Sequence, residues 1–274
     1  MTINLDLVID TEEDSVDMKA SLESMQGVSD AVRCVAESIL TENVPKRLSH
    51  TSKVRTSLKK SFKGSYGHVF SIDIHDTELL KKFKKIGKPT FIELISYLIS
   101  ESLYMEPKEP SDKALKILNE LGENVEEIVR QLRLSSLEKI HEVSIKFNQN
   151  IQIRYRKNRD NKIVIAKFDR KTAQVLQAKE SDEKIDLKII VTRLNIHTGN
   201  GRFQIEGSDK TVAFGFSIKY REVSIKAKKI FSENLDHNNG LDSDKWKYLK
   251  ISASPIKHLD GKVVKYIVKG FYED

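Results

Sequence analysis

The stretch IDLKIIVTRLNIHTGNGRFQIEGSDKTVAFGF, residues 185–216, decides how the second half of the chain folds. Its glycines at 199 and 201 flank Asn200 and precede Arg202, which reads either as a phosphate-cradling loop or as a turn between strands. A phosphate loop needs its glycines at a strand-to-helix junction, where backbone amides and the helix dipole converge on the anion. Here RFQIEG and then KTVAFGF follow, both of strand character. Asn-Gly is also the strongest short hairpin signal, because a type I′ turn needs positive φ at both central residues. The stretch therefore predicts a hairpin turning at Asn200-Gly201, with Arg202 at the rim of the structure. EGSDKT at 206–211 and LDGKV at 259–263 read as two further hairpin turns.

Downstream, VSIKAKKIFSENL fits a helix, with Val223, Ala227, Ile230, Phe231 and Leu235 on one side. KWKYLKISASPI and KVVKYIVKGFY then supply two more strands. Five strands with a helix between the third and fourth is the element order of an OB-type barrel, with a small SH3-like barrel as the close alternative. This barrel is expected over residues 185–274. The charged run ESDEK at 180–184 marks the boundary with a first domain over 1–180.

The first domain reads as α+β, a small sheet with helices packed on one face. INLDLVID near the start alternates as a strand. Two helices follow: one carries Met18, Leu22 and Met25 and is interrupted at Gly27, and the next opens at Ser29 and closes at Pro45. SHTSKVRTSLKKSF and GSYGHVFSIDI predict a hairpin joined at Lys63-Gly64, with Tyr66, His68, Phe70, Ile72 and Ile74 on one face. Helices dominate from about residue 77, including the nearly all-apolar PTFIELISYLISESLY, and Asn124 or Glu123 starts a long one reaching Phe147. QIRYRK and NKIVIAKFD close the domain as a hairpin around Asn158-Arg159-Asp160, followed by the short piece KTAQVLQAK. The fold class expected for the whole chain is thus α+β: an N-terminal sheet with packed helices, then a small five-stranded barrel.

The net charge of +7 conceals a strong segregation. Residues 1–42 hold 2 basic and 10 acidic side chains, residues 43–86 hold 11 and 3, and residues 147–274 hold 26 and 16. A basic excess over half a chain favours a polyanion partner such as nucleic acid. No apolar run is long enough to span a bilayer, and the first residues lack a basic n-region, so no membrane partner and a cytoplasmic location are expected. The Lys-, Asn- and Ile-rich composition suggests bacterial or phage origin.

Catalytic equipment is not apparent. Cys34 is the single cysteine and falls beside the apolar stripe of a helix, where an inert buried thiol is expected. The seven histidines include no helical i, i+4 pair, so neither a metal nor a cofactor is expected. GSYGHVF lacks the spacing of a nucleophile elbow, in which the serine sits between glycines two residues to either side. In this Gly-Ser-aromatic step opening a strand, Gly64-Ser65-Tyr66, the chain resembles an uncharacterised bacterial family; the resemblance covers about the first half and implies no activity. KALKILNELGENVEEIVRQLRLSS, residues 113–136, has a helix-turn-helix outline, but Glu126 and Glu127 occupy the turn where bases would be read, which favours a packing hairpin.

The basic residues carry the remaining interest. Lys53, Arg55 and Lys59 fall on one strand, Arg154 and Arg156 on another, and Arg202, Lys219 and Arg221 beside the barrel. Trp246 and Tyr248, between lysines, are candidate stacking aromatics. Two functions are expected from this layout. One is a non-enzymatic interaction or assembly protein, binding a protein partner or itself, as an accessory factor of a mobile-element or defence locus would. The alternative is a nucleic-acid-binding protein using the basic barrel and the strand over residues 53–63.

Overall fold

The computed structural model describes residues 2–12, 15–47, 49, 51–62, 66–158 and 161–272, in two compact units, Met1–Leu176 and Gln177–Asp274. The Lys63-Gly64 turn, Ser65 and the Arg159-Asp160 tip lie outside the described residues.

Unit 1 opens with β1 (Thr2–Ile9), α1 (Met18–Thr41), β2 (Val54–Phe62) and β3 (Tyr66–Ile74). Helices α2 (Thr77–Ile86), α3 (Lys88–Ser102), α4 (Asp112–Leu121) and α5 (Asn124–Gln131) follow. A π turn at Leu132–Ser136 runs into α6 (Leu137–Ile140) and α7 (Glu142–Phe147). The unit ends with β4 (Ile151–Arg156), β5 (Lys162–Phe168) and α8 (Arg170–Gln177). The five strands form one antiparallel sheet in the order β2-β3-β1-β4-β5, so the N-terminal strand is central. Period-2 alternation sends Ile3, Leu5, Leu7 and Ile9 to one face, where they meet Phe70, Ile72, Ile151 and Ile153. Val32, Val35 and Ile39 of α1 and Phe91, Leu94 and Leu98 of α3 cover that face and complete the core.

The predicted interruption at Gly27 does not occur: α1 is one helix of 24 residues. Gly27 serves packing instead. A Cβ there would stand 2.5 Å from the Ile140 backbone nitrogen and 2.7 Å from the Ser136 carbonyl oxygen, so its absence lets α1 lie directly on the π turn and α6.

Unit 2 contains β6 (Lys179–Glu180), β7 (Ile185–Leu194), β8 (Gly201–Ile205), β9 (Thr211–Phe216), α9 (Ile225–Asn238), β10 (Leu249–Lys257) and β11 (Val263–Phe271). Strands run β7-β8-β9-β11-β10, and β10 pairs back onto β7, closing a five-stranded barrel. Every pairing in the ring is antiparallel except β9 with β11, and α9 lies between the third and fourth barrel strands, which is the OB-type arrangement. Phe203, Phe214 and Phe231 fill the interior with no exposure; the Phe203 and Phe214 rings stack at 5.3 Å. Lys179 and Glu180 pair with Lys257 and Ile256, so the chain joins the barrel sheet at the first residue of the ESDEK run.

The turn at 195–200 differs from expectation in detail. It joins two strands, but Asn200 and Gly201 are not its corner. Asn195 organises a six-residue loop: its Oδ1 accepts from the amides of His197 and Thr198, and its carbonyl accepts from Gly199. Gly199 carries the positive φ, +70°. Gly201 is already in β8, where a Cβ would stand 2.2 Å from the Arg193 carbonyl oxygen.

Candidate polyanion-binding face

One face of the unit 1 sheet packs on the helices, and alternation turns the intervening residues to the other. On β2 these are Arg55 and Ser57, which pair with Asp73 and Ser71, and Lys60 and Phe62, which pair with Val69 and Gly67. A bulge between Leu58 and Lys60 brings Lys59 to the same side, 3.9 Å from Asp73. On β1 the corresponding residue is Asp6, beside Arg154 of β4. Arg156 pairs with Lys162 of β5.

Phe62, the last residue of the edge strand β2, gathers cations around its ring. Its ring lies over Gly67, where a Cβ would come within 2.3 Å of it. The guanidinium carbons of Arg154 and Arg156 stand 6.0 and 5.5 Å from the ring centroid, and the Lys162 ammonium stands 5.7 Å away. Three cations thus converge on one half-buried aromatic ring at the outer limit of cation–π attraction, about 6 Å.

Beneath them lies Asp6, with no exposure at all. Arg156 donates to both its oxygens, Nε to Oδ1 at 2.8 Å and a terminal nitrogen to Oδ2 at 2.9 Å. Arg154 stands 3.7 Å from the same carboxylate. A bidentate fork is the geometry that repays burial of a carboxylate. The pair also fixes the arginine stems, so the face is rigid where it is most basic. Asp73, the second carboxylate here, accepts from the Ser57 and Ser71 hydroxyls. Arg154, Arg156 and Lys162 thus stand around Phe62 with Lys60 two residues before it, while Lys59 lies beside Asp73 and Arg55, at the far end of β2, donates to the Ser52 carbonyl; Asp6 and Asp73 are both hydrogen-bonded within the face.

The structure brings together four of the ten candidate residues here: Arg55, Lys59, Arg154 and Arg156. Lys53 precedes β2 and pairs with Asp76 at 2.8 Å, the carboxylate that caps α2. Arg202 is not at a rim; it lies within β8, only 8% exposed, with Nε donating to Thr211 Oγ1 at 2.9 Å and a terminal nitrogen donating to the Thr211 carbonyl. Its Cα partner is Ala213, so the arginine side chain lies along a neighbouring strand that has a small residue at that position. Lys219 is exposed before a 3-10 turn, and Arg221 in that turn stands 3.7 Å from Glu222. Trp246 and Tyr248 precede β10 rather than belonging to it, and the Trp246 indole N–H donates to the Leu241 carbonyl.

Sequence patterning does not single out Phe62, Lys162 or Asp6. Phe62 follows the alternation Lys60-Ser61-Phe62 at the strand's end, a signal present in the sequence. Asp6 and Arg156 are 150 positions apart and meet only because β1 is central.

Among the described residues no group of three or more His, Cys, Asp or Glu side chains is placed to hold a metal ion, and no helix is long and apolar enough to cross a membrane. Cys34 is buried, which pushes its thiol pKa up to about 12. Comparison with protein-family models, with curated proteins and with solved structures returned no match.

Proposed function

We propose that the protein binds single-stranded nucleic acid on the open face of the unit 1 sheet. The observation that carries this reading is the Phe62 ring with Arg154, Arg156 and Lys162 around it and Lys59 and Lys60 on its own strand. Single-strand binders combine a basic track for the phosphates with an aromatic ring on which a base stacks. A pleated sheet offers both on one rigid surface, because alternate residues of neighbouring strands point the same way. The barrel is the weaker candidate for this role, since Phe203 and Phe214 are committed to its core.

The test is fluorescence anisotropy with a labelled mixed-sequence single strand, as DNA and as RNA, at low salt. Phe62→Ala weakens binding by about 1–3 kcal/mol, the worth of one stacked base. Affinity unchanged by Phe62→Ala, or no binding at low salt, contradicts the proposal.

A second reading, a protein-interaction or assembly role, has its own support at the β5 edge. The barrel is closed, so the unit 1 sheet supplies the longer free edges, β2 and β5. The β2 edge is guarded by a bulge and lysines, whereas β5 exposes Ile163 (42%) and Val164 (39%) beside a cavity of about 370 Å³ against Pro89, Ile92 and Tyr97 of α3. An extended partner segment with apolar residues fits this edge by strand addition; the lining carries Lys108 and Lys157 together with Glu93 and Glu109, so charge selects neither sign. Ile163→Asp is expected to abolish capture of such a partner; capture undiminished by that change contradicts this reading.

A further inference from the structure

Within unit 1, the C-terminal end of α1, the last turns of α2 and the length of α4 leave a cavity of about 430 Å³ between them. Its apolar floor is Ile39, Ile86, Ile117 and Leu121, all part of the core or packed against it. The rest of the lining is charged: Lys82 and Lys85 from α2, Lys113, Lys116 and Glu120 from α4, and Glu42 at the end of α1.

These charges do not balance. Lys82 pairs with Glu42 at 2.6 Å, which ties α2 to α1. The Lys113 ammonium donates to the Lys85 carbonyl at 2.8 Å, which ties α4 to α2 but leaves its charge uncancelled. The side chains of Lys85, Lys116 and Glu120 have no hydrogen-bond or ion-pair partner among the described residues. Three cations, Lys85, Lys113 and Lys116, therefore stand around the cavity against one remaining carboxylate. The helix dipole favours a lysine in the last turn of α2, which accounts for Lys85, but it opposes one in the first turn of α4, where Lys113 stands. Lys116 precedes Glu120 by four residues, the weaker order for a helical pair, and the two form no ion pair.

We propose that this cavity binds a small organic anion, with an apolar body of about two rings on the floor and an acidic group at Lys85 and Lys116. The size follows from volume: an apolar cavity of about 150 Å³ admits benzene, and pockets for small organic ligands begin at about 300 Å³. The sign follows from the surplus of cations, which an anion would relieve. The apolar body follows from the floor, where Ile86 and Leu121 come from two different helices and meet under the lysines.

The probes are anilinonaphthalene sulfonate and its neutral counterpart phenylnaphthylamine, which share one body and differ in the anionic group. Each is titrated into the full chain at low salt and followed by its fluorescence. The expected result is saturable binding of the sulfonate, roughly fivefold tighter than the amine, the worth of two exposed ion pairs. A variant carrying Lys85→Gln and Lys116→Gln is expected to lose that preference while keeping its affinity for the amine. Both lysines are exposed, so the variant keeps its fold, as the thermal midpoint would confirm. The same variant separates this site from the basic sheet face, whose residues it leaves intact. Absence of saturable sulfonate binding, equal affinity for the two probes, or a sulfonate preference that survives in the double variant would each overturn the proposal.

Discussion

At the scale of single residues, the Asp6–Arg156 pair is the most consequential interaction on the basic face. Its two members are not equivalent, because Asp6 is wholly buried while both arginine side chains keep 22% of their surface in water. Removing the arginine strands a buried carboxylate; removing the carboxylate frees two cations that can turn to solvent. Arg156→Met is therefore expected to cost about 3 kcal/mol in urea unfolding, and Asp6→Asn clearly less. Equal losses would mean that burial of the carboxylate is not the governing cost. A second prediction concerns pH. His141 is fully buried, with Nδ1 2.6 Å from the Leu137 carbonyl, which accepts, and Nε2 2.8 Å from Thr172 Oγ1. Burial holds its folded pKa below the ordinary 6.5, and the Leu137 carbonyl and Asp169 only partly oppose that. The unfolded chain thus binds a proton that the folded chain refuses, so stability falls as pH drops below 6.5 towards the folded pKa. His141→Gln should flatten that part of the stability profile, and an unchanged slope would remove His141 from the explanation. The same depth of burial makes Cys34 unreactive: a thiol reagent is expected to label it only after denaturation, and rapid labelling of the native protein would contradict its placement.

At the scale of elements, most strands and helices follow from period alone. The alternation from Tyr66 to Ile74 matches β3 and its buried face, and Ser111 caps α4 through the Ala114 amide. The helix expected from Asn124 to Phe147 is divided by the π turn at Leu132–Ser136 and again at His141, and two further departures have identifiable physical reasons. Gly27 looks like an interruption because glycine weakens an isolated helix. Its role is close packing, and packing against a helix more than a hundred residues later leaves no local mark. Gly27→Ala should therefore destabilise by about 1–3 kcal/mol, the range for overpacking, because the atoms it would meet are backbone and cannot step aside. A neutral or stabilising effect, as at an exposed helical site, would show that α1 and α6 do not pack closely. The Asn200-Gly201 dipeptide reads as the turn because it is the strongest local signal, yet Gly201 is required by the close approach of the Arg193 carbonyl, while the loop is shaped by the Asn195 side chain. The candidate face is legible in the sequence as charge on two separate strands. Its assembly is not, since the order β2-β3-β1-β4-β5 is what sets Arg154 and Arg156 across from Phe62.

At the scale of the whole molecule, the basic excess divides almost evenly, a net +3 in residues 1–176 and +4 in residues 177–274, but the two units arrange it differently. In unit 2 several cations stand beside carboxylates, as Lys188 does with Glu206, Lys257 with Glu183 and Lys269 with Glu180. In unit 1 the open sheet face also pairs cations with carboxylates, but it sets Arg154, Arg156 and Lys162 around one aromatic ring, and that ring favours the sheet as the proposed nucleic-acid surface. The decisive measurement is the salt dependence of single-strand binding by the full chain, compared with two variants. One removes Lys59, Lys60 and Lys162 together; the other removes Lys219 and Arg221. Each phosphate no longer neutralised lowers the slope of log K against log salt by about 0.7, so the slope should fall by about 2 in the sheet variant while the barrel variant matches the parent. A barrel variant whose slope falls while the sheet variant keeps the parent's would contradict the account.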